Sequence, residues 1–159
     1  MRLPSSPVAR LSLIAALALA APAAPPGFGR WTPAQLRAAA RRLAHHLDRS
    51  RAASVTLARY GNHWTMLAYR EASGGAEMHA AASDLFVVER GSATLVVGGR
   101  ILHPRTVSPG ETRGPAIQGG RRVRLQPGDI VHIPPNTPHQ LLLAPGVHFT
   151  YFVVKVRTK

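Results

Sequence analysis

Glu77 and His79 stand two positions apart in GAEMHAAASD, and Asp84 follows five positions after His79. Further along, His132 and His139 lie seven positions apart in PGDIVHIPPNTPHQ. Imidazoles and carboxylates ligate first-row divalent metals and move protons near neutral pH. Residues at i and i+2 of a strand share a face, so an extended segment would present Glu77 and His79 side by side. His132 shares a face with Ile130, and Val131 and Ile133 take the other. Both faces are partly apolar, so alternation does not fix which is inward; His132 ranks behind His139 and is expected outside. Met66, Tyr69, Phe86 and Phe152 fall in apolar runs and are further candidates to line a cavity, although such residues are more often plain core. His63, His103 and His148 have no companion at ligand spacing.

These side chains need a frame. TPAQLRAAARRLAHHLDRS predicts a helix, with Thr32 as its cap, Pro33 at the first helical position and Gln35 completing a capping box. Leu36, Ala40, Leu43 and Leu47 form its apolar stripe. From Ala53 onward, short runs rich in Val, Ile, Leu, Phe, Tyr and Thr alternate with Gly, Pro, Asn and Asp. Strands are predicted at SVTLARY, HWTMLAYRE, LFVVER, ATLVVGG, RILHPRTV, RRVRLQ, DIVHIP, HQLLLAP and HFTYFVVKV. Gly98-Gly99 signals a hairpin turn between two of them. Eight or nine strands over about 105 residues, without intervening helices, imply an all-β jelly roll or closed barrel. GETRGPAIQGG reads as a long connection whose Glu111 and Arg113 could cover the barrel mouth.

Together, the two stretches resemble the paired motifs of the cupin superfamily. In the first, Gly74 or Gly75, Glu77, His79, Asp84 and Gly91 occupy the pattern; in the second, Gly128, Pro134, Asn136, His139 and Leu143 do. The resemblance spans roughly residues 54 to 156 and is strongest toward small, single-domain, exported bacterial cupins. It implies a conical jelly-roll barrel with the site inside. This chain departs from the family pattern at four positions: Glu77 replaces the first histidine, Asp84 a glutamate, Asn136 a glycine and Leu143 an asparagine. The implied ligand set is therefore Glu77, His79, Asp84 and His139, suited to Mn(II), Fe(II), Ni(II) or Zn(II), with the oxygen-rich character favouring Mn and Fe. Glu77 and Asp84 are also the candidates for proton transfer. Asp84, one methylene shorter than glutamate, could instead orient a ligating histidine through its other ring nitrogen, or cap backbone amides. A metal-free Glu77–His79–His139 network is the alternative.

Composition narrows the choices. The absence of cysteine excludes disulfides, thiolate zinc sites and cysteine nucleophiles. The net charge is +13, carried by 18 arginines and 2 lysines against 7 acids. The arginines are scattered without aromatic interleaving, which points to a solvated basic surface and away from nucleic acid. Residues 1–23 combine a basic start, the run LSLIAALALA and small residues before repeated proline. That order describes a signal peptide, hence an exported, periplasmic or extracellular protein with no membrane association after cleavage. The expected organisation is a signal peptide over 1–23, a linker and helix over 24–50 and a β-barrel over 51–159. Three functions remain open: a metal-dependent enzyme of the oxidoreductase or isomerase kind, a non-catalytic module for a sugar-like or anionic small molecule, and a metal-free homodimeric scaffold. No G-x-S-x-G, P-loop, dinucleotide fingerprint or H-E-x-x-H is present.

Overall fold

The computed structural model describes residues 24–158; the expected signal peptide at 1–23 lies outside the described residues. Helix α1 spans Pro33–Ala44. Thr32 Oγ1 accepts from the Gln35 amide, and the Gln35 side chain accepts from the Thr32 amide, so two otherwise unpaired donors are satisfied. No helix among the described residues is long and apolar enough to cross a membrane.

The strands are β1 (Ala52–Arg59), β2 (His63–Arg70), β3 (Ala76–His79), β4 (Ala82–Arg90), β5 (Ala93–Val97), β6 (Arg100–Ile101), β7 (Arg105–Ser108), β8 (Glu111–Gly114), β9 (Ile117–Gln118), β10 (Arg121–Leu125), β11 (Ile130–Ile133), β12 (His139–Leu142) and β13 (Phe149–Arg157). They form a five-stranded sheet ordered β1-β2-β13-β4-β11, a six-stranded sheet ordered β10-β5-β12-β3-β8-β7, and a small β6-β9 ribbon. All pairings are antiparallel. The all-β jelly-roll expectation holds.

Alternation along the strands builds two separate apolar layers. Ala68, Phe86, Val88, Leu95, Leu125, Ile133, Leu141, Phe149, Tyr151 and Val153 form the main core. Leu67 and Tyr69, of opposite parity on β2, join Leu36, Ala39 and Leu43 of α1 in a second cluster, with Phe152 and Trp31 packed against it. The helix therefore covers the outer face of the five-stranded sheet.

Two local expectations need correction. Gly98 and Gly99 both turn with positive φ (77° and 75°), a conformation nearly free of steric cost for glycine alone. The strands they join, however, are not partners: β5 pairs with β10 and β12, and β6 pairs with β9. The turn passes the chain from the six-stranded sheet to the ribbon. Likewise, GETRGPAIQGG, read as a long connection, folds into β8 and β9, and β8 lies directly against β3.

Candidate metal centre inside the barrel

Strand register brings the chemistry together. On β3 and β8, Glu77 faces Arg113 and His79 faces Glu111, so two i, i+2 pairs lie opposite each other on one face. His139 opens β12 opposite Glu77. Across the barrel, Asp84 on β4 is paired in register with Lys155 on β13. A turn of the second motif is pinned to the first: the Asn136 amide donates to the His79 carbonyl at 2.8 Å. Asn136 adopts φ 57°, a left-handed conformation that asparagine tolerates better than most residues. This is the physical reason a glycine position can be held by asparagine here.

The hydrogen bonds define which ring nitrogens face the cavity. His79 Nδ1 lies 2.6 Å from Glu111 Oε2, and His139 Nδ1 lies 3.0 Å from the Thr137 carbonyl. A carboxylate and a carbonyl only accept, so each Nδ1 carries the proton and each Nε2 is left as the inward atom. Both Nε2 atoms are buried without a hydrogen-bond partner. One ligand atom each from Glu77, His79 and His139 can be chosen so that all three lie within 4.8 Å of one another. Asp84 Oδ2 lies 3.3 Å from His79 Nε2 and 3.6 Å from His139 Nε2, and Glu77 Oε1 lies 3.4 Å from His139 Nε2. Such orphaned, convergent donors with anchored second nitrogens are the arrangement that metal-ligating histidines require.

Charge is balanced in pairs. Arg113 holds Glu77, and the Lys155 ammonium lies 2.6 Å from Asp84 Oδ1. Burial alone would raise the Glu77 carboxyl, but adjacent His139 and then Arg113 hold it well below the usual carboxylate range. Burial also pushes Asp84 up, and His79 and Lys155 outweigh it, so Asp84 is lowered. For His79, burial disfavours the charged ring, yet Asp84 brings its pKa above the ordinary value. A carboxylate held ionised in this way is a weak base and a competent ligand, which suits Glu77 better to ligation than to proton transfer.

A cavity of about 350 Å³ opens beside these groups, its wall including Met66, Arg70, Glu77, Asp84, Phe86, Arg113, Tyr151 and Lys155. Of the residues anticipated to line it, Met66 and Phe86 do so with core parity. Tyr69 also borders the cavity, although it packs in the helix-side cluster, and Phe152 lies in that cluster alone, because odd positions of β2 and even positions of β13 face outward. His132 is exposed on the outer face, and its neighbours Val131 and Ile133 pack inward. Asp84 does not orient a histidine through the second ring nitrogen; Glu111 does. His148 Nδ1 lies 2.8 Å from the Tyr69 hydroxyl, away from the candidate ligands.

Sequence reasoning misplaced two participants and missed two more. Glu111 and Arg113 were placed only at the mouth, although their E-x-R spacing repeats the parity of Glu77 and His79. Lys155 was absorbed into an apolar run, yet it is the single charge within FTYFVVKV and shares parity with Tyr151 and Val153. Gln140, buried, donates through Nε2 to the carbonyls of Gly74 and Pro115 and so braces the entry to β3.

The family described as "AraC-like ligand binding domain" matches residues 118–159, which include His139 and the last strand. No curated protein matches the chain. Among solved structures, TT1209 from Thermus thermophilus superposes with a TM-score of 0.52 at 14% identity, over 74% of this chain and 92% of its own. KdgF from Halomonas sp. gives 0.49 at 15% identity over 69% and 82%. DMSP lyase DddQ from Ruegeria pomeroyi DSS-3 gives 0.48 at 19% identity over 67% and 47%, so this chain spans about half the lyase. At these identities the likeness is one of fold.

Proposed function

This chain is a cupin by fold, and from that premise we propose that it binds a divalent metal ion through Glu77, His79 and His139 and acts on a small molecule held beside it. The observation that carries the reading is the pair of buried, unpartnered Nε2 atoms, each fixed in tautomer by an accepting oxygen on Nδ1. Two imidazoles and a carboxylate with room beside them suit Fe(II) or Mn(II) ahead of zinc. When bound, such an ion supplies Lewis acidity and an open position for a substrate oxygen. The protein's own groups do the rest: Glu111 orients His79, Arg113 keeps Glu77 ionised, and Lys155 holds Asp84 at the cavity wall facing both imidazoles. The order of charged, apolar and small residues over 1–23 supports export of the chain.

Metal analysis of protein purified without a histidine tag should find close to one divalent ion per chain, and His139→Ala should lose it. Sub-stoichiometric metal that His139→Ala leaves unchanged would remove the metal reading.

One observation favours a second reading. His79 lies between two carboxylates, Glu111 at Nδ1 and Asp84 near Nε2, which favours a charged imidazolium in a metal-free polar network. In that case the cavity is a ligand-binding site without metal chemistry. The same metal analysis separates the two.

A further inference from the structure

Ion pairing within the cavity leaves one cation without a contacting acid. Glu77 is matched by Arg113, and Asp84 by Lys155. Asp48 also lines the cavity, but its Oδ1 accepts from the Ser50 amide and hydroxyl and the Ala52 amide. Arg70 lines the same cavity, and among the described residues no carboxylate lies within ion-pair distance of it.

The Arg70 guanidinium is nonetheless held in place. It ends the inward-facing row of β2, after Met66 and Ala68. Its Nε donates to the buried Tyr151 hydroxyl at 3.3 Å. Its other face lies against Gly74, where an added Cβ would come within 2.8 Å of a terminal guanidinium nitrogen. Gly74 is itself fixed, its amide donating to Leu141 and its carbonyl accepting from Gln140 Nε2. With Nε spent on Tyr151, the remaining N–H groups form a positioned, half-buried donor set without an acid partner.

We propose that Arg70 is the anchor for a small organic monocarboxylate bound in the barrel cavity beside Glu77. The inference rests on the reading of this cavity as a ligand site, but not on the metal. A planar guanidinium matches a planar carboxylate. A positioned guanidinium that no acid contacts offers a carboxylate a ready partner, and the apolar wall of Met66, Phe86 and Val153 suits a short hydrocarbon body. A volume of about 350 Å³ lies at the small end of ligand pockets.

The test uses the full chain after any export cleavage, with sodium propionate as probe, propionamide as its uncharged counterpart and inorganic phosphate as the competing anion. Calorimetry should show saturable propionate binding at millimolar concentration, with propionamide and phosphate weaker. Arg70→Gln should weaken propionate roughly ten- to hundredfold, the worth of charge-assisted hydrogen bonds. Arg70→Lys, which keeps the charge and loses the planar donor set, should fall between. Gly74→Ala, which leaves the arginine but displaces it, should also weaken binding. Co(II) absorbance is read in parallel and should be unchanged in Arg70→Gln, with thermal melts confirming that each variant folds. A wild type that binds propionate but no Co(II) would support the anchor and remove the metal. Propionate affinity untouched in folded Arg70→Gln, equal binding of propionamide, tighter binding of phosphate, or no saturable propionate binding would each overturn it.

Discussion

Glu111 decides which nitrogen of His79 faces the cavity, because a carboxylate at 2.6 Å keeps the proton on Nδ1. Carboxylate partners of this kind raise ligand basicity and fix ring orientation. Glu111→Gln should therefore lower metal affinity by roughly ten- to hundredfold. Co(II) titration followed by absorbance checks this, and unchanged affinity in Glu111→Gln would show that the contact does not tune the site. The candidate ligands themselves were legible: Glu77 and His79 by type and strand spacing, and His139 through the motif resemblance. Their supports were not, because Glu111, Arg113 and Lys155 reach the site through strand pairing with segments at least 32 residues away along the chain. Seven acids in a strongly basic chain offered a clue, since three of them, Glu77, Asp84 and Glu111, gather around the two buried histidines.

Elements differ in how local their causes are. Helix α1 was readable to its capping box because a cap is satisfied within four residues. The turn that follows it is equally local. Asp48 Oδ1 accepts from Ser50 and the Ala52 amide, and hydrogen bonding to Ser50 first, then to Ala52, lowers its pKa. A carboxyl lowered on folding contributes stability above its unfolded value, about pH 4, and loses it as pH falls through the folded value. The melting-temperature gap between wild type and Asp48→Ala should thus be present at neutral pH and shrink in acid below both values. A gap that stays constant with pH would show that the turn is not stabilised by the ionised carboxylate. Strand β3 was harder to read as an element, being only four residues long, although it carries two of the three candidate ligands. The Gly98-Gly99 turn was correctly sensed and wrongly partnered: positive φ is a local property, whereas pairing is settled by which edges of the two sheets remain available.

At the scale of the whole molecule, the two sheets close around a core centred on fully buried side chains such as Phe149, which has 0% exposure. Phe149→Ala should cost about 3–5 kcal/mol, because it removes a large apolar group and leaves a void in a packed interior. Denaturant unfolding measures it, and a loss under about 1 kcal/mol would mean that the sheets relax to fill the space. The chain's net charge is +13, whereas the cavity is lined by Arg70, Arg113 and Lys155 against Asp48, Glu77 and Asp84. By itself the sequence determined the fold class, the capped helix and the candidate side chains of the site, because periodicity, caps and motif spacing are short-range. Only the tertiary structure decided that both histidines turn Nε2 inward, that Lys155 and Arg113 neutralise the two carboxylates, and that Arg70 is left without an acid. Each of those outcomes depends on contacts across the barrel, where register between distant strands, and not spacing along the chain, sets which groups meet.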